Sequence, residues 1–153
     1  MKLKWAKEWY IALKLAITTS VVNAFIAIFS LKLLHVFHFI PWHPTRFMDK
    51  IYYVRLFGAP EKWLMLGIII FIVSFLIYML SAAIPTVPGW VSSIVAAVII
   101  LFVVHSFIID FQYKWSEMKK IPIPFIVLVL VCCRFVTETS TFYVREKIIR
   151  GTK

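Results

Sequence analysis

Long stretches without charge alternate along the chain with short cationic or aromatic connections, and the uncharged stretches have the length of membrane spans. A helix needs about 20 residues to cross ~30 Å of hydrocarbon. Between Lys14 and Lys32 lie seventeen uncharged residues, and both lysines can reach outward along their alkyl stems, so 11–34 suffices for a first crossing. Residues 63–83, WLMLGIIIFIVSFLIYMLSAA, carry no charge and place a second span over 63–84. Residues 89–109, GWVSSIVAAVIILFVVHSFII, make a third. Only Pro85-Thr86-Val87-Pro88-Gly89 joins the second to the third, and its two prolines and glycine end one helix and permit the next, which predicts an antiparallel hairpin. Ser92 with Ala96, and Ser93 with Ala97, are small residues four apart, the spacing that lets helix backbones approach in lipid, so this face should turn inward.

A fourth span, 121–144, opens on Ile121-Pro122-Ile123-Pro124, and proline suits a first helical turn. It is apolar for thirteen residues and then takes Arg134 and Glu138 into the membrane. The connections differ in size. Residues 35–62 form a long aromatic and basic interfacial loop in which 51–57 has the character of a short amphipathic helix, and 110–120 is a short polar link. The pattern predicts an all-α, polytopic integral membrane protein: one domain over 1–153, four transmembrane helices in an antiparallel bundle, and N- and C-termini on the same side.

Composition agrees with that pattern. The chain is 62% hydrophobic and 16% charged, against about half and about a quarter in soluble domains, and its mean hydropathy is +0.91. Fourteen Phe, six Tyr and six Trp suit lipid-facing and headgroup-level positions. The net charge of +10 comes almost wholly from cations beside the apolar stretches, which points to anionic lipid as a partner and makes nucleic acid unnecessary. Eight Lys and Arg flank the spans on the side of the termini and eight on the other side, so the cation count does not orient the chain. The four cations leading the first span favour cytoplasmic termini. Cys132 and Cys133 are adjacent, point in different directions on a helix, and read as small buried hydrophobes. The basic start followed by an apolar run also fits a signal peptide, but without a small-x-small cleavage site it is read as a retained span.

Candidate chemistry is sparse. Arg134 and Glu138, four apart, share a helical stripe with Thr137, Thr141 and Arg145, and an intramembrane charge is expected to face the bundle and to have a partner. Counting ~1.5 Å per residue from the terminus side puts Arg134 and Asn23 near mid-membrane, and Glu138 at the level of Thr18, Thr19, Tyr78 and Ser93. The pair is read first as self-neutralised and structural, fixing helix register; the alternative is that these groups make one polar cavity, open toward the terminus side, that binds a ligand or ion or relays a proton through Glu138. His35, His38 and His43 offer a weaker metal site, because HxxH on one helical face plus a third imidazole suits Zn²⁺ or Cu²⁺. His105 lies close to Asp110 on the same side. No HExxH, P-loop, GxSxG or CxxC pattern occurs, so neither an enzyme nor a cofactor is expected. Ile109-Asp110-Phe111 resembles a segment of lipoprotein signal peptidases, but the second aspartate and its Asn and Arg motif are missing. In general look the chain resembles small four-span proteins of low-GC Gram-positive bacteria, which implies a bacterial plasma membrane.

The expected function is that of a non-enzymatic accessory, assembly or regulatory subunit that contacts other membrane proteins, its own copies or lipids. A small oligomeric transporter or channel-like protein using Arg134 and Glu138 is the alternative.

Overall fold

Among the described residues four helices account for nearly all of the backbone: α1 over Lys2–Val36, α2 over Ala59–Ala83, α3 over Gly89–Ile108 and α4 over Ile123–Gly151. The computed structural model describes residues 2–40, 42–45, 58–84, 86–108 and 122–151. The amphipathic segment expected over 51–57 and the link 110–120 lie outside the described residues. Each helix contains a segment long and apolar enough to cross a membrane: Tyr10–Val36, Pro60–Ala83, Gly89–Ser106 and Ile123–Glu146. The first and last helices extend past the expected spans, to Lys2 and to Gly151. Both extensions consist of good helix formers with no interior Gly or Pro to stop them.

The helix ends follow local chemistry. α1 stops in a Schellman motif: His38 N–H donates to His35 O at 3.1 Å, Phe39 N–H donates to Leu34 O at 2.9 Å, and His38 takes the left-handed position with φ 59°. At the start of α2 the Glu61 carboxylate accepts the Gly58 N–H at 2.8 Å, and Pro60 occupies the first turn, where a missing N–H costs nothing. Pro88 O accepts the first N–H groups of α3, from Val91 and Ser92, and Pro122 O does the same for Phe125 and Ile126 of α4.

α4 is the hub. It packs on α1, α2 and α3, whereas α2 and α3 scarcely touch although five residues join them. The face α4 presents to its neighbours is made of small groups, with Cys133, Val136, Thr137 and Ser140 all buried. Hydroxyls there close their hydrogen bonds on backbone. Ser140 donates to Tyr78 O of α2 at 3.0 Å, and Thr137 donates to Gly89 O of α3 at 3.1 Å and to Cys133 O at 3.0 Å. Ser93 and Ala97 are buried and Ser92 and Ala96 are half-buried, as the small-residue spacing predicts for α3. Two glycines mark the closest approaches. A Cβ on Gly67 of α2 would stand 2.6 Å from Ile28 Cδ1 of α1, and one on Gly89 of α3 would stand 2.8 Å from Thr141 Oγ1 and 3.5 Å from Glu138 Cα of α4. Outward from this core the surface is aliphatic and aromatic, with Phe25, Leu64, Phe102 and Phe142 all exposed.

Candidate functional site

Arg134 and Glu138 form the ion pair that their spacing predicts: Arg134 Nε donates to Glu138 Oε1 at 2.7 Å. The pair does not face the bundle. The two side chains are 65% and 48% exposed, while Thr137 and Thr141, expected on the same stripe, are buried. The reason is steric and electrostatic together. α4 touches three helices at distances that admit Cys, Val, Thr and Ser but not a guanidinium, and an i,i+4 pair neutralises itself without help from the interior. Successive helix residues turn by about 100°, so Thr137 and Glu138 take different faces.

Depth differs from the expectation as well. Thr137 bonds Gly89, the first residue of α3, and the Glu138 backbone lies against the same glycine. α3 has 20 residues, about 30 Å, so Glu138 is level with an end of the shortest helix and Arg134 lies about 6 Å further along. Counting along α4 alone had put Arg134 near the middle. The stem of Glu138 rests on the first turn of α3.

The remaining members of the expected polar cavity are dispersed. Asn23 does not meet Arg134; its Nδ2 donates to Ser74 Oγ of α2 at 2.8 Å, and its Oδ1 is buried without a partner among the described residues. Tyr78 is buried against Ala16 and Val136, and its hydroxyl has no hydrogen-bond partner among the described residues. Thr19 is buried on α1. Thr18 is exposed, its hydroxyl donating to Lys14 O at 2.8 Å. Ser93 is buried and donates to Trp90 O at 2.7 Å. Asn23, Tyr78, Thr19 and Ser93 thus belong to the interior, and Arg134 and Glu138 to the outer surface.

The three histidines part in a similar way. His35 and His43 meet edge to face with ring centroids 4.4 Å apart. His38 is exposed, and as the left-handed residue that ends α1 it has left the helical face it was expected to share with His35. Nδ1 of His43 lies 2.6 Å from the Thr45 hydroxyl and accepts the Thr45 N–H at 3.3 Å, which occupies its lone pair. Among the described residues no group of three His, Cys, Asp or Glu is placed to hold a metal ion. His105 is half-buried near the end of α3, and Asp110 lies outside the described residues. Cys132 is half-buried, Cys133 is buried, and both are free thiols.

One feature has no counterpart in the sequence-based expectations. Because α2 and α3 do not close on one another, a cavity of about 520 Å³ runs between them. Buried residues of α1 and α4 form its floor, among them Ala27, Leu31, Val129 and Cys133, and its walls are aliphatic residues of α2 and α3 such as Val73 and Val104. Ile99 and Val103 line it and are 58% and 44% exposed, so its mouth lies beside α3 and faces sideways out of the bundle. At one end stand Trp42, His43 and Pro44; Trp42 packs on Phe125 with centroids 5.2 Å apart, and His43 lies 6.3 Å from Trp63. Asn23 and Ser74, bonded to each other, lie deeper. Comparison of the chain with protein-family models, with curated proteins and with solved structures finds no match.

Proposed function

We propose that this chain is a non-enzymatic multi-pass membrane protein that acts as an accessory, assembly or regulatory subunit through contacts with other membrane proteins and with lipid. In this reading its four helices cross the plasma membrane in alternating directions, with both termini on the cytoplasmic side. The contacts Asn23 to Ser74 and Ile28 to Gly67 run in opposite senses along α1 and α2 and support an antiparallel pair, and Tyr78 to Ser140 with Gly89 to Thr137 bring the end of α2 and the start of α3 to one level on α4. The observation that carries the functional reading is the outward Arg134–Glu138 pair. A charge inside a spanning segment ordinarily faces a protein interior or water, because lipid does not solvate it. Here the face that α4 turns to its neighbours is occupied by small residues, so the group that meets the pair comes from outside: a polar side chain of another membrane protein or of a second copy, or a lipid headgroup. Among the described residues the interior offers no connected row of charged groups for a pathway through one chain. A transport reading therefore places Arg134 and Glu138 at an interface between copies.

Purification in mild detergent with Arg134→Ala and Glu138→Gln tests this. The wild type should bring down a companion membrane protein, and both variants should accumulate normally and lose it. A wild type that runs as a clean monomer with no companion refutes the subunit reading. Ion or solute flux into proteoliposomes that vanishes in Glu138→Gln, with the oligomer intact, would favour the transport reading instead.

A further inference from the structure

We infer that the cavity between α2 and α3 is a binding site for one acyl chain of a membrane glycerophospholipid, held as a structural ligand and not exchanged with the bulk bilayer. This site rests on the proposed membrane crossing and is independent of the charged pair on α4.

The cavity holds about 520 Å³, within the roughly 300–1,000 Å³ typical of small-ligand sites. No Asp, Glu, Lys or Arg lines it, and its walls along α2 and α3 are mainly branched aliphatics, with Asn23 and Ser74 as its deeper polar groups. The mouth beside Ile99 and Val103 opens where lipid tails lie, not toward water.

Polarity is graded along its length in the sense a phospholipid requires. The Trp42–Pro44 end stands beside Trp63, next to the start of α2, and beside Phe125, in the first turn of α4, at the level where headgroups begin. The Trp42 indole N–H there is buried with no acceptor among the described residues, although a buried indole N–H ordinarily finds one. A lipid ester carbonyl at that level supplies such an acceptor. Deeper in, Asn23 Nδ2 donates to Ser74 Oγ while Asn23 Oδ1 has no partner among the described residues, and the rest of the lining along α2 and α3 is mainly aliphatic, which suits a tail. A tail there replaces the contact that α2 and α3 do not make directly, which gives the ligand a structural role.

The test uses the full chain reconstituted in vesicles of phosphatidylglycerol and phosphatidylcholine, extracted in mild detergent and examined by native mass spectrometry. The wild type should retain one phospholipid per chain through washing. Val73→Phe and Val104→Phe, which fill the cavity from opposite walls, should lose it, while Ile94→Phe, on an exposed part of α3 that does not line the cavity, should keep it. A wild type that retains no phospholipid, or filling variants that retain it as the wild type does, overturns the proposal. So does a shift of the filling variants from dimer to monomer with lipid content unchanged, which would make a second copy the occupant. A second measurement needs no variant: a phosphatidylcholine carrying a photoreactive diazirine at mid-chain should label Leu128 and Cys132 on the cavity floor. Label confined to outer residues such as Phe25 and Phe102 excludes a bound tail.

Discussion

His38 shows how a single backbone conformation redirects chemistry. Its φ of 59° belongs to the region where an L side chain costs roughly 1–2 kcal/mol and glycine costs nothing of that kind, and it is held there by the two hydrogen bonds that close α1. The imidazole is exposed, so replacing it removes no buried contact. His38→Gly should therefore stabilise the protein by up to about 1 kcal/mol, part of the gain being offset by the greater freedom of glycine in the unfolded chain. The shift in the SDS-unfolding midpoint in mixed micelles measures it, and a destabilised variant would mean that the ring has a partner. An HxxH spacing reads as one helical face only while the helix continues, and no residue after Leu34 announces that it ends there. Sequence spacing consequently joined His38 to His35, and the fold separates them.

At the scale of the helices, close approach is concentrated at two glycines, and the atoms opposite them predict unequal costs. Opposite Gly67 is the far end of Ile28, a Cδ1 that can rotate away; opposite Gly89 are the short β-branched Thr141, whose hydroxyl donates to Thr137 O at 2.9 Å, and the α4 backbone. Gly89→Ala should cost about 1–3 kcal/mol by forcing α3 off α4, and Gly67→Ala less than about 1 kcal/mol. Adding Thr141→Ala to Gly89→Ala should recover part of the loss, so the pair is less than additive in a denaturation cycle. Equal costs at the two glycines would show that α3 does not sit on α4 as described. The four helices themselves were legible because uncharged runs bounded by lysines and prolines leave little alternative. The inward face of α3 was legible from Ser93 and Ala97. The inward face of α4 was obscured because the costly residues, Arg134 and Glu138, drew attention from the cheap ones. Cys133, Thr137 and Ser140, small and at helical spacing, carried the packing signal, and the charged pair took the face they left. The cavity was not legible at all, since it depends on α2 and α3 failing to meet despite their short link.

For the molecule as a whole, the proposed topology makes a claim that labelling can decide. Three contacts tie the helices in depth: Tyr78 with Ser140, Gly89 with Thr137, and Asn23 with Ser74. Carried along the helices at about 1.5 Å per residue, they bring Lys14, Thr86 and Arg145 toward one end of the bundle, and Lys32, His38 and Lys62 toward the other. A slab bounded by these two sets is about 27 Å thick along α1, from Lys14 to Lys32, which suits a bilayer's hydrocarbon. With Cys132 and Cys133 replaced by alanine, single cysteines at Lys14, Thr86 and Arg145 should react with a membrane-impermeant maleimide from the same side of sealed vesicles. Cysteines at Lys32 and His38 should react only from the opposite side. The Thr86 position is the most demanding, because in the proposed topology the five-residue link it occupies turns the chain back into the membrane. Reaction of Thr86→Cys from the side of His38→Cys would leave α2 and α3 unable to cross as separate helices. The cavity between them would then open to water, the outward Arg134–Glu138 pair would lose its cost, and both the lipid site and the partner surface would lose their physical basis.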